Sequence, residues 1–215
     1  LVSSVAGMML MAHASNLVVL FVGIELMSIS FYVMAGFFRT STKSVEAALK
    51  YFLLGCFATG FLVYGMSLIY GGTGSLAYGD IARTVVTQQL TYPTLFVVGT
   101  TLLVIGLSFK IAAFPFHQWA PDVYEGAPTA VTAFMSTAGK AAAFSAFVAV
   151  FVALLPAGWT SEIAQNQQIV IAVIAAATML LGNITAVVQS NVKRMLAYSS
   201  VAHAGYMLMG ILAGP

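Results

Sequence analysis

Lys110-Ile-Ala-Ala-Phe-Pro-Phe-His-Gln-Trp-Ala-Pro-Asp-Val-Tyr-Glu-Gly-Ala-Pro-Thr-Ala-Val-Thr-Ala-Phe134 is the stretch whose reading decides the fold. It opens inside an apolar run, 94–114, that is long enough to cross a bilayer, where a spanning helix needs about 20 residues. Lys110 lies deep in that run, and Pro115 follows. A charged side chain at the centre of a membrane helix costs about 2.5–3.5 kcal/mol on insertion scales. Proline removes a backbone donor and clashes with the preceding turn. The pattern therefore predicts a membrane helix broken near Lys110–Pro115.

The rest of the chain agrees with a membrane setting. Of 215 residues, eight are Lys or Arg and six Asp or Glu; charged residues make up 7% and hydrophobic ones 60%. Soluble domains carry roughly 25% charged residues. A mean hydropathy of +0.98 leaves too much apolar surface for so few charges to cover in water. These values exclude a soluble enzyme and a disordered chain. The net charge of +2 is too small and too scattered to attract phosphates, which excludes a nucleic-acid binder. A single cysteine, Cys56, excludes a disulfide framework and any iron–sulfur or structural zinc site built within the chain.

Apolar runs cover 1–13, 16–38, 45–70, 94–114, 127–155, 168–189 and 195–214. They predict about seven helical segments. The expected breaks are Arg39–Ser44, Gly71–Pro93, Pro121–Pro128, Pro156–Gln167 and Ser190–Arg194, each with turn chemistry. None of the runs alternates polar and apolar residues as barrel strands do. Gly36, Gly55, Gly60, Gly139 and Gly182 inside the runs are expected to permit close helix approach. The chain starts at Leu1, not Met, with a short first run and no visible signal peptide, and reads as an internal fragment. With this segment count, Arg39, Lys43, Lys193 and Arg194 fall on one side of the membrane, along with Asp122 and Glu125. Arg83, Asp80 and Glu162 fall on the other. The basic excess assigns the first side to the cytoplasm.

Four ionisable residues lie in or at the edge of the runs: Glu25, Lys50, Lys110 and Lys140. Such residues commonly face a bundle interior and mark ion or proton pathways. Glu25 shares a helix face with Ser28 and Tyr32; it reads as a proton-binding or lysine-tuning carboxylate, against a structural ion pair. Lys50 follows Glu46 at the favoured i,i+4 spacing, so snorkelling to the interface weighs equally with a relay role. Lys110 is the strongest candidate, because freed carbonyls and helix ends near a break stabilise charge, as in transporter ion sites. Lys140 has Ser136 and Thr137 at i−4 and i−3 and small neighbours, suited to water and hydroxyl relays. Two lysines on adjacent segments fit a proton relay, since burial and like charge favour a neutral amine. Of the histidines, His203 shares a face with Ser199, Ser200 and Tyr206 and is polar enough for a relay. His117 is evenly balanced between structural and functional roles, and His13 reads as interfacial. Gly72 and Gly74 read as a turn, and the Asn183-Ile184-Thr185 sequon sits inside an apolar run.

The 110–134 stretch, together with Gly23-Ile-Glu-Leu-Met-Ser28 and Asn191-Val-Lys-Arg-Met-Leu-Ala-Tyr-Ser-Ser-Val-Ala-His-Ala-Gly-Tyr206, resembles the antiporter-like subunit N family of respiratory complex I. That family is the bacterial counterpart of mitochondrial subunit 2, and the resemblance runs over essentially the whole chain. It implies an all-α polytopic bundle of two inverted five-helix repeats, each with a broken helix. Residues 1–189 would hold the first repeat, truncated at its start, plus the first helix of the second; 190–215 would continue the second, within a single membrane domain. Residue by residue, the family's fifth-helix glutamate falls on Glu25 and its sixth-helix lysine on Lys50. The lysine of the broken seventh helix falls on Lys110 and that of the eighth on Lys140. The ionisable residue of the twelfth lies beyond Pro215, so this stretch alone is not expected to pump. Segment 16–38 is the repeat counterpart of 195–214, which gives His203 a linking role comparable to that of Glu25.

The implied role is proton translocation coupled to quinone reduction elsewhere in an NADH–quinone oxidoreductase. The chain itself would carry no redox centre. NADH, FMN and iron–sulfur clusters belong to partner subunits, and quinone to a site elsewhere. The implied partners are other complex I membrane subunits and the lipid bilayer, not nucleic acid, in a multi-pass bacterial inner or plasma membrane. The alternatives are a plastoquinone- or F420-linked relative or a cation/proton antiporter subunit. An autonomous solute transporter would need its own specificity groups, and a pure scaffold leaves a lysine beside a helix break unexplained.

Overall fold

The computed structural model describes residues 1–154 and 162–213; for 152, 153, 162–164 and 166 it describes the backbone alone. Ten α-helices follow one another in the described chain: α1 (Val2–Ala12), α2 (Leu17–Ala35), α3 (Thr42–Thr73), α4 (Tyr78–Val86), α5 (Pro93–Ile111), α6 (Trp119–Gly126), α7 (Thr129–Phe134), α8 (Lys140–Leu154), α9 (Glu162–Val187) and α10 (Val192–Leu212). One π-helical turn, Met135–Gly139, joins α7 to α8. Six stretches are long and apolar enough to cross a membrane: α2, α3, α5, 129–151, 167–187 and α10. The chain is a polytopic all-α membrane bundle.

Local chemistry sets the helix starts. The Asn16 side chain accepts from Val19 N at 2.8 Å to cap α2, and Asn191 accepts from Lys193 N at 2.9 Å to cap α10. Pro93 opens α5, where its missing N–H costs nothing. α3 runs for 32 residues, about 48 Å at 1.5 Å per residue, and so extends beyond the hydrocarbon layer.

Helices in lipid associate by close packing of small residues rather than by excluding water. The α3–α5 contact shows this. A Cβ placed on Gly65 would lie 2.8 Å from the Gly99 carbonyl oxygen, and a Cβ on Gly99 would lie 2.8 Å from that of Gly65. Of the five glycines expected to allow close approach, Gly36, Gly55, Gly139 and Gly182 do so, against Ala48, Tyr32, Phe31 and Ala202. Gly60 does not: a Cβ there meets nothing within 4 Å.

Two expected breaks contain helices. The 71–93 connection holds α4, tied back to the start of α2 by Tyr78 N donating to Ser15 O at 3.0 Å. The Pro121–Pro128 break holds most of α6, because Pro121 lies in its first turn, where proline is tolerated. Half of the break expected at Pro156–Gln167, residues 156–161, lies outside the described residues, and the other half, 162–167, is already helical in α9; the side chain of Glu162 is also outside the described residues.

Candidate functional site

The broken helix places Lys110. α5 ends at Ile111, and Ala112 takes the left-handed conformation at φ 58° and ψ 42°. Helix ends leave carbonyls unpaired. Here Ala112 N donates to Phe109 O at 3.1 Å, Ala113 N to Ser108 O at 2.9 Å, and Trp119 Nε1 to Phe109 O at 2.9 Å. Phe114 N donates to the Thr178 hydroxyl of α9 at 2.9 Å, which fixes the far side of the break.

The side chain of Lys110 is 1% exposed. Its Nζ donates to Ser28 Oγ of α2 at 2.8 Å, and that hydroxyl in turn donates to Ile24 O at 2.6 Å. Glu25 Oε1 lies 3.8 Å from the same Nζ and accepts from the Thr59 hydroxyl of α3 at 2.8 Å. Glu25, Ser28 and Lys110 thus form one site where α2, α3 and α5 meet, with Ser28 and Lys110 buried and Glu25 half-buried. Ser28 was legible as a neighbour of Glu25 on its helix face. Thr59 carried no local signal in the sequence.

Lys140 lies elsewhere in the bundle, at the end of the π-helical turn, in a class of irregularity frequent at functional sites. Its Nζ donates to both Ser200 O and Ser200 Oγ of α10 at 2.7 Å. The expected local partners are occupied: the hydroxyls of Ser136 and Thr137 both donate to Ala133 O, at 3.1 and 2.7 Å. The lysine therefore reaches across to α10 instead of back along its own helix. A cavity of about 480 Å³ opens onto it, lined among others by Ser136, Lys193, Ser200 and His203. His203 shares that cavity but bonds its own helix, Nδ1 to Ser199 O at 2.8 Å.

Phe31 lies between the two lysine sites. It follows Ser28 by one turn, and a Cβ on Gly139, the residue before Lys140, would lie 2.7 Å from the Phe31 ring.

Lys50 stands apart from both sites. Its side chain is 43% exposed and paired with Glu46 at 2.7 Å and Asp122 at 2.7 Å. It belongs to an ionic cluster at one end of the bundle. There Asp122 Oδ1 accepts from Arg194 Nη1 at 2.6 Å, and Glu125 accepts from Lys43 at 2.8 Å and Arg194 at 3.2 Å. The structure thus gathers charges that the sequence assigned to one membrane side. Burial would raise the Asp122 carboxyl, but the hydrogen bonds from Lys50 and Arg194 outweigh it and hold the group below its ordinary value. The Lys43 hydrogen bond, aided by Arg194 and opposed by burial, lowers Glu125.

His117 is buried and stacks on Phe114, and burial lowers its imidazole below the ordinary value. His13 is exposed and faces Met9 O. Among the described residues, no group of three or more His, Cys, Asp or Glu gathers that could hold a metal ion.

The chain is similar throughout to known membrane proteins. The family model described as "NADH:quinone oxidoreductase/Mrp antiporter, TM" matches residues 14–214. NADH-quinone oxidoreductase subunit N 1 of Chloroherpeton thalassium is 54% identical over 211 residues, covering 98% of this chain and 43% of that protein. A chain of respiratory complex I from Thermus thermophilus, solved with bound aureothin, superposes with a TM-score of 0.80 at 40% identity. That match covers 97% of this chain and 43% of the other. A chain of the Mrp complex from Dietzia sp. superposes with a TM-score of 0.85 at 26% identity, covering 98% and 38%. The chain therefore spans less than half the length of the relatives it matches.

Proposed function

The chain belongs to the NADH:quinone oxidoreductase/Mrp antiporter membrane family, and on that premise we propose that it is part of a subunit N that moves protons through a glutamate–lysine relay. Glu25, Lys110 and Lys140 carry the relay, with Lys50 as a peripheral member and His203 as a linking group in the second repeat. Electron transfer from NADH to quinone takes place elsewhere in the complex. NADH, FMN, iron–sulfur clusters and quinone belong to other parts of it, and the subunit works against neighbouring membrane subunits in a bacterial inner membrane. Residues 1–189 and 190–215 are then read as parts of two inverted repeats.

One observation carries the reading: a lysine 1% exposed, at the end of an interrupted membrane helix, with a carboxylate 3.8 Å away. A buried cation of this kind is expensive unless paired. The nearby carboxylate favours the ammonium. Withdrawing the carboxylate favours the free amine and releases a proton toward Lys140, where the Ser200 oxygens already hold the amine. The carboxylate thereby gives the relay a direction without any redox group in the chain.

Lys110→Arg tests the proposal. Arginine keeps the charge and can reach Ser28 and Glu25, but it does not release its proton. The full-length subunit carrying this change is expected to insert normally and to fail to restore NADH-driven proton uptake in membrane vesicles. Wild-type uptake would show that Lys110 need not cycle.

A second reading, a subunit of a cation/proton antiporter, is favoured by the TM-score of 0.85 with the Mrp chain. The 54% identity to a subunit N weighs against it. Co-purification with flavin and iron–sulfur subunits separates the two.

A further inference from the structure

Trp119 and Asp122 lie one turn apart at the start of α6; Trp119 reaches α5 and α3, and Asp122 reaches α3 and α10. Trp119 Nε1 donates to the carbonyl of Phe109, the chain neighbour of Lys110, at 2.9 Å. Its ring stacks on Tyr51, the chain neighbour of Lys50, with centroids 4.5 Å apart and planes 12° from parallel. Asp122 Oδ2 accepts from Lys50 itself at 2.7 Å, and Oδ1 accepts from Arg194 of α10 at 2.6 Å. A single helical turn therefore holds the broken end of α5, a lysine of α3 and the start of α10.

Each of the two cations on Asp122 also has a second carboxylate, although Glu125 is shared with Lys43. Lys50 has Glu46 at 2.7 Å on its own helix, and Arg194 has Glu125 at 3.2 Å. Glu46 adds no constraint between helices, because it is an i,i+4 neighbour. Asp122 does, because its two oxygens are divided between α3 and α10. α6 is also too close to α3 to slide freely: a Cβ on Gly126 would meet the Lys43 carbonyl oxygen. Asp122 thus adds a tie between helices to its share of the cluster's charge balance.

We propose that Asp122 is a positioning residue that fixes the ammonium of Lys50 relative to the broken helix of Lys110 and ties both to the first turn of α10. The proposal rests on the relay reading above, and extends it by giving the short helix after the break a mechanical role. Glutamate at this position keeps the charge but lengthens the reach by one methylene. Asparagine keeps the reach without the charge.

The test measures NADH-driven proton uptake in native membrane vesicles carrying the full-length subunit, with subunit abundance followed by immunoblot. Asp122→Ala is expected to lower uptake roughly two- to tenfold, the lower part of the range of coupling between directly contacting groups. Glu46→Gln, which removes charge but no inter-helix tie, is expected to keep most of it. Asp122→Glu is expected to recover part of the loss. Asp122→Ala combined with Lys50→Ala is expected to lose less than the two single losses together, because Asp122 acts in part through that lysine. Losses that add in the double variant, or Glu46→Gln as damaging as Asp122→Ala, would overturn the proposal. Wild-type uptake in Asp122→Ala with Lys50→Ala impaired would overturn it while leaving the relay reading intact. Wild-type uptake in both would remove Lys50 from the relay as well. Where Asp122→Ala fails to accumulate, Asp122→Asn decides on the same terms, because its one acceptor oxygen cannot be divided between Lys50 and Arg194 as the two carboxylate oxygens are: reduced uptake supports the proposal and wild-type uptake overturns it.

Discussion

Glu25 Oε1 stands 3.8 Å from Lys110 Nζ across α2 and α5, while the direct hydrogen bond of that ammonium goes to the neutral hydroxyl of Ser28 at 2.8 Å. The carboxylate is near enough to hold the charge but is not the group that binds it. At an effective dielectric of 20, an opposite charge at this range is worth about 4 kcal/mol. A small movement of Glu25 therefore changes the preference of Lys110 for its proton without breaking its anchor.

Glu25→Gln is expected to impair proton uptake, and Glu25→Asp to retain part of it. A double-mutant cycle of Glu25→Gln with Lys110→Ala is expected to show non-additivity of about 1–3 kcal/mol, because the two groups share one network. Strict additivity of the two losses would reassign Glu25 to a structural pairing.

Ser200→Ala should weaken the relay at Lys140 without abolishing it. The variant removes one of two oxygens 2.7 Å from the amine and leaves the Ser200 carbonyl in place. A loss of about 1 kcal/mol, near fivefold in uptake rate, is the expected scale for one hydrogen bond to a cation with a remaining partner. Ser136→Ala is expected to have little effect, since its hydroxyl is engaged with Ala133 O. The reverse order of sensitivity would show that Lys140 works along its own helix.

Packing between α3 and α5 should be intolerant at Gly65 and Gly99. Gly99→Leu places side-chain atoms where the Gly65 carbonyl already lies and should cost 1–3 kcal/mol or more, roughly the range for overpacking. Gly60→Ala has open space and should be neutral or mildly stabilising. Thermal denaturation in detergent separates the two, and equal melting temperatures would contradict the close approach.

The ionic cluster predicts an acid limit. Asp122 and Glu125 are held below their ordinary values of 3.8 and 4.5. A carboxyl lowered in the folded state contributes stability that is complete above its unfolded value and is lost as pH falls through the folded one. Detergent-solubilised protein should therefore keep its melting temperature down to about pH 5 and lose stability below about pH 4. Both groups are partly exposed, so screening limits the total to roughly 1 kcal/mol. An Asp122→Asn, Glu125→Gln variant should lack this step. Parallel acid loss in the variant would place the sensitive carboxyls elsewhere.

Much of the architecture was legible because hydrocarbon imposes a single rule, that a spanning segment satisfies its own backbone in a long apolar helix. The Glu46–Lys50 pair was legible because i,i+4 spacing is local. The partners of the buried lysines were not. Ser28 and Lys110 are 82 residues apart, and Lys140 and Ser200 are 60 apart, so only tertiary packing brings them together. α6 was hidden by its prolines: Pro121 and Pro128 read as turn signals, yet Pro121 occupies a first turn and Pro128 precedes the next helix. The π-helical turn has no signature in residue type, and the bonds of the Ser136 and Thr137 hydroxyls to Ala133 O were not legible either.

The central claim is that Lys110 carries the proton. The most direct measurement is proton uptake per NADH oxidised in vesicles whose full-length subunit bears Lys110→Ala, with insertion confirmed in the same membranes. The relay predicts normal insertion and uptake reduced by about a hundredfold or more, the range for loss of a proton-transferring group. Wild-type uptake in a normally inserted variant would contradict it.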